Sequence, residues 1–82
     1  MDNFRIMTVE TVPGLWRGRD AIFRGPEIDL KTVEQIDSAG IAFLIQWSKS
    51  LAPRRLRLKN VPEAAIKLID TFALRQLFEI QM

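Results

Sequence analysis

Glu27-Ile28-Asp29-Leu30-Lys31-Thr32-Val33-Glu34-Gln35-Ile36-Asp37-Ser38-Ala39-Gly40-Ile41-Ala42-Phe43-Leu44 reads as extended chain that turns into a helix. Ile28 and Leu30 alternate with Glu27, Asp29 and Lys31, the period of two that puts one face of a strand against a core. Val33 and Ile36 carry the extended apolar run up to Asp37. The period then changes. In Asp37-Ser38-Ala39-Gly40, Ser38 is a natural N-cap, and it predicts a helix from about Ala39 to Leu51 with Pro53 ending it.

The same two periods organise the chain on either side. Phe4 to Val9 alternates loosely and predicts a short strand. Thr11 can cap a helix with Pro13 in its first turn, where the missing N–H costs little. Val12, Leu15, Trp16, Arg19, Ile22 and Phe23 recur at helical spacing, and Gly25-Pro26 stops that helix. Downstream, Leu56 and Leu58 alternate with Arg55, Arg57 and Lys59, a strand with one buried and one basic face. Asn60 and Pro62 open a third helix carrying Ala65, Ile66, Ile69 and Phe72, and Leu77-Phe78-Glu79-Ile80 predicts a last short strand. The order β-α-β-α-β-α-β implies an α/β fold, with a mixed sheet of about four strands and helices packed mainly on one face. No repeat, linker or low-complexity tract divides residues 1–82, so they are expected to form a single domain.

Composition narrows the function classes. The chain has 82 residues, no cysteine and no histidine. Disulfides, zinc-finger sites, thiol nucleophiles and Ser-His or Cys-His catalytic pairs are therefore excluded. At this size folding buries only about 60% of the unfolded chain's surface, and small domains usually need a staple. With disulfides gone and no metal-ligand cluster or cofactor motif in view, a partner is the staple to expect. A net charge of +2 spread over the chain is a weak field for nucleic acid, and none is expected to bind. Neither phosphate-cradling glycine motif, GxxxxGK[ST] or GxGxxG, occurs. Met1 to Val12 lacks the apolar core of a signal peptide, and the uncharged stretch Ser38 to Ser48 is far short of the ~20 residues that span a bilayer. A cytoplasmic location is the expectation.

The helix after Asp37 holds the strongest physical clue. With Ile41 at zero on a helical wheel, Leu44, Ile45, Ser48 and Ala52 fall within about 60° of it, enough for a core-facing stripe. Phe43 and Trp47 lie at about 200° and 240°, on the other side. Either the chain closes over that side, or the two aromatics form an exposed ridge for a partner, whose interface centre would favour such residues. The ridge is the expectation carried forward.

Ser38 has three readings. As a nucleophile it lacks a base. As an N-cap it is purely structural. As an accessible serine at a helix N-terminus it suits a kinase, and the helix dipole would favour a phosphate there. The basic run Lys49, Arg54, Arg55, Arg57 and Lys59 reads first as the solvated face of an edge strand, where positive charge blocks edge-to-edge pairing. Contact with an acidic partner or anionic lipid headgroups is the alternative.

The stretch quoted first also resembles the signature of STAS domains. That signature is a strand of the form hydrophobic-Asp-Leu (Ile28-Asp29-Leu30), then hydrophobic-Asp-Ser-x-Gly (Ile36 to Gly40), then an apolar helix. The basic strand at 55–59, Asn60-Val61 and Leu74 through Ile80 match the family's later half. Two groups within the family compete. The MlaB-like small STAS subunit of Mla phospholipid-transport ABC systems is similar in its brevity, in a Leu15-Trp16 step and in the apolar helix after the motif. That resemblance implies a non-enzymatic accessory subunit that binds and regulates the transporter's ATPase, with Ser38 at the contact. It would serve outer-membrane lipid asymmetry and lie peripherally at the cytoplasmic face of the inner membrane. Ser38, Ala39, Phe43 and Trp47 would then be the partner-binding set. Anti-sigma factor antagonists are similar at Ser38, which matches their phosphorylated serine, with Asp37 as the acid before it; the partner would then be an anti-sigma factor kinase. Against the family pattern, the first strand is missing or merged, and Met7-Thr8-Val9-Glu10 replaces the usual Gly-Glu-Leu turn region. That leaves an open sheet edge through which a homodimer could form.

Overall fold

Leu56 and Leu58 are completely buried while Arg57 between them is exposed, because successive side chains of a strand point to opposite faces. In the computed structural model, which describes residues 5–81, this strand is the middle of a three-stranded sheet. Numbered in chain order, the strands are β1 (Ile6–Met7), β2 (Glu27–Asp29), β3 (Gln35–Ile36), β4 (Leu56–Lys59) and β5 (Phe78–Gln81). β2, β4 and β5 pair in that order, and β1 pairs with β3 in a separate two-stranded sheet. Ile28, Leu58 and Ile80 lie in register on the inner face. Glu27, Arg57 and Glu79 lie in register on the outer one, where Arg57 bridges both acids at 3.5 Å and Lys59 reaches Glu27 at 3.4 Å.

The helices are α1 (Val12–Arg17), α2 (Arg19–Ile22), α3 (Ser38–Ser50) and α4 (Glu63–Thr71), with a short 3-10 turn at Arg75–Leu77 before β5. Leu30, Ile41, Leu44 and Ile69 are buried with the two leucines of β4, which places the core between α3, α4 and the inner face of the larger sheet. The outer face keeps its charges in solvent. The fold is a small α/β structure with two sheets of parallel strands.

Four details differ from the sequence expectation. Every pairing is parallel rather than mixed, because each joined pair is separated by a helical crossover and no hairpin forms among the described residues. The extended run from Glu27 to Ile36 divides in two. β2 ends where the Asp29 carboxylate accepts hydrogen bonds from the Lys31 amide and the Asn60 side chain, and a turn follows in which the Val33 amide bonds the Leu30 carbonyl. β4 is central, not an edge, so Arg57 and Lys59 are neutralised in cross-strand pairs instead of guarding an edge. The third helix stops at Thr71, which leaves Phe72 outside the helix and 54% exposed.

The first helical segment also departs from expectation. It breaks at Gly18 into α1 and α2. Thr11 stands at its N-cap, but the side chain makes no capping bond; the hydroxyl accepts from the Thr8 amide at 3.0 Å and donates to the Ile6 carbonyl at 2.8 Å, tying the turn back to β1. Of the strand expected at Phe4 to Val9, only Ile6–Met7 is paired, and Phe4 lies outside the described residues. Among the described residues no helix is long and apolar enough to cross a membrane.

Candidate functional site

Asp37, not Ser38, caps α3. Its backbone is extended, and its Oδ1 accepts from the amides of Ala39 at 2.9 Å and Gly40 at 3.2 Å. Oδ2 accepts from the Val9 amide at 3.0 Å, so one carboxylate fastens the start of α3 to the segment after β1. These amides hold the Asp37 carboxyl below its ordinary value, Val9 contributing most, against an opposing effect of partial desolvation. Ser38 is thereby moved one place along, to the first helical position, where it is exposed.

Gly40 explains the last letter of the motif. A Cβ there would stand 2.3 Å from the Met7 carbonyl oxygen, so only glycine lets α3 lie this close to β1. Asp37 and Gly40 together place Ser38 and the first turn of α3 at the surface in a fixed orientation.

The aromatic ridge is not exposed. Phe43 and Trp47 are 2% and 4% accessible, because α1 and α2 fold across that flank of α3. Phe23, at the end of α2, wedges between them, with ring centroids 5.3 Å from Phe43 and 5.4 Å from Trp47. The Trp47 indole N–H donates to the Gly25 carbonyl at 3.0 Å, and Trp16 meets Phe23 edge-on. The buried arc of α3 runs from Phe43 through Trp47, Leu44 and Ser48 to Ile41, about 160° of the wheel rather than a narrow stripe around Ile41. The apolar stripe of the first helical segment carried the signal: Ile22 and Phe23 needed a surface to cover, and this is it.

What α3 does expose is Ser38, Ala42, Gln46, Lys49 and Ser50, with Ala39 half-buried. Against this arc stands α1. Val12, Pro13 and Trp16 form one wall and Ala39, Ala42, Phe43 and Gln46 the other of an apolar groove of about 550 Å³. Trp16 is 37% exposed at its rim, with the Arg19 guanidinium 4.2 Å above its ring. Of the four residues expected at a partner site, Ala39 lines the groove and Ser38, its exposed chain neighbour, does not. Phe43 contributes to its floor, and Trp47 is interior. Val12, Pro13, Trp16, Ala42 and Gln46 were missed, because pairing α1 with α3 is a tertiary event that neither helix's own period encodes.

The helical wheel puts Ser48 on the core side, and the structure gives its hydroxyl two partners there. Its hydroxyl donates to the Leu77 carbonyl at 2.6 Å and accepts from the Leu56 amide at 3.1 Å, joining α3 to β4 and to the turn before β5. Among the described residues no group of acidic side chains is arranged to hold a metal ion.

A family model described as "Mlab, STAS domain" matches residues 6–80. No curated protein and no solved structure matches the chain.

Proposed function

The chain belongs to the STAS domain family, whose members are generally non-enzymatic modules mediating protein–protein contact, and from that premise we propose a subunit role. The protein is an accessory subunit that binds and regulates the cytoplasmic ATPase of an ABC transporter for phospholipid trafficking. It works peripherally at the cytoplasmic face of the inner membrane, held there by its partner. One observation carries the reading: an apolar groove between α1 and α3 is lined by Ala39, next in the chain to the exposed Ser38, the position at which MlaB-like subunits are expected to meet their ATPase. Exposed apolar surface bordered by polar groups is the physical mark of a docking site.

The test is co-purification of the full chain with an ABC ATPase subunit. Ala42→Arg puts a charge on the exposed arc without touching the core, so the fold stays intact and the ATPase should be lost. Retention at wild-type strength would remove the groove from the contact.

The exposure of Ser38 supports a second reading, an anti-sigma factor antagonist switched by phosphorylation. The Ala39 and Gly40 amides are already committed to Asp37, so a phosphate on Ser38 would face that carboxylate and weaken docking by repulsion. Phosphate transfer from an anti-sigma kinase to the wild type but not to Ser38→Ala is the expected result. Transfer to neither eliminates this reading.

A further inference from the structure

The groove does not end at its apolar part. Trp16 and Gln46 line both that part and a second depression, which Arg19, Asp20, Phe23, Lys49 and Ser50 complete. Along α3 the path from Ala39 through Ala42 and Gln46 to Lys49 is about 15 Å, close to three helical turns. Ala39 and Ala42 are small, so another helix can approach α3 closely there.

Charge gives the path a direction. At the far end Arg19 is pre-positioned, stacked over Trp16 at 4.2 Å with its guanidinium donating to the Trp16 carbonyl at 2.9 Å. Neither Arg19 nor Lys49 forms an ion pair among the described residues, and Asp20 is the one carboxylate lining that end. The near end, walled by Val12, Pro13 and Ala39, carries no charged side chain. The groove therefore runs from an uncharged, apolar end to one where two cations face a single carboxylate.

We propose that the occupant is an amphipathic helix of the partner protein, lying antiparallel to α3. Its apolar stripe covers Ala39 to Gln46, and carboxylates in its N-terminal turn pair with Arg19 and Lys49. The antiparallel direction opposes the two helix dipoles, and acidic residues are the ones favoured in a helix's first turn. Laying an apolar helix face into a groove is an established mode of peptide recognition. The proposal rests on the reading that this groove is the partner site.

Two helical peptides serve as probes. They share leucines at i, i+3, i+4 and i+7, and differ in carrying glutamates or lysines in the first turn. At low salt the full chain should bind the glutamate peptide about three- to tenfold more tightly, the range expected of two exposed ion pairs. The gap should close near about 0.5 M salt, where screening removes such pairs. Lys49→Glu combined with Arg19→Gln should reverse the preference, and Ala42→Arg should abolish both affinities. A photocrosslinker on the peptide's first residue should attach within residues 46–50. Equal affinity for the two peptides, binding by neither, or attachment within residues 38–42 overturns the proposal. If ATPase capture still depends on Ala42 in those cases, the groove remains the partner site and only the helix assignment falls. If capture survives Ala42→Arg while the peptide preference holds, the functional reading falls instead.

Discussion

Replacing Gly40 by alanine would set a methyl carbon 2.3 Å from the Met7 carbonyl oxygen and 2.8 Å from Ile36 Cγ1. The first is backbone and cannot step aside, so α3 must move off β1. The expected loss is about 1–3 kcal/mol, the range for overpacking, read as a lower urea midpoint. Gly25→Ala is the control, since a Cβ there meets nothing within 4 Å. Equal midpoints for the two variants would show that close approach is not what position 40 supplies. Asp37 predicts a pH effect. Its carboxyl is held low in the fold, so its contribution is fully present above the unfolded value and is lost as pH falls through the folded one. Asp29, through Asn60, and Asp70, through Arg75, shift in the same direction. Urea midpoints should therefore fall on the acid side of about pH 4, and Asp37→Asn should flatten that decline without removing it. An unchanged acid limb would mean that the Val9 amide bond is not a coupling. The motif that starts α3 was legible at this scale, but the capping residue was not. Aspartate and serine are comparable caps, and the choice was made by an amide 28 residues away.

At the scale of elements, the sidedness of α3 depends on the helical pair laid across it. Trp47 stacks on Phe23 and anchors its indole N–H on the Gly25 carbonyl, so Trp47→Ala removes core rather than a contact surface. A loss of about 3–5 kcal/mol is expected, seen as early thermal unfolding. Trp16→Ala should cost far less and act on partner binding. If Trp47→Ala unfolds at the wild-type temperature, the packing of α2 on α3 is wrong. The strand β4 and the helix α3 could be read in advance because their periods are local. The bend at Gly18 could not, and it turns Phe23 inward. The run from Glu27 to Ile36 likewise hid its division, because Ile28 and Leu30 before the turn and Val33 and Ile36 after it are all apolar, while Asn60, which bonds Asp29 at the end of β2, is 31 residues away.

For the whole molecule, the shortage of core in 82 residues now has a location. The chain covers Phe43 and Trp47 and leaves uncovered the groove of Val12, Pro13, Trp16 and Ala42. A partner that binds only the folded form at about a hundred times its Kd adds about 2.7 kcal/mol. For a domain of this size that corresponds to a Tm higher by about 10 °C or more, measurable by scanning calorimetry of the complex. Ala42→Arg should erase the increase, and an increase that persists in that variant would place the stabilising contact elsewhere.

The parallel pairing of β4 has a consequence in time. On the ribosome β4 emerges with β2 already available on one side, but Phe78, the partner of Leu56, is still about 20 residues from being made. At about 5–20 residues per second, that strand keeps one side unpaired for roughly one to four seconds. Arg57 and Lys59 lie on no edge of the finished sheet, yet during that interval they line one. Lysine and arginine on an unpaired strand discourage its capture by another chain. Their positive charge thus protects the nascent protein first and joins the cross-strand pairs with Glu27 and Glu79 afterwards.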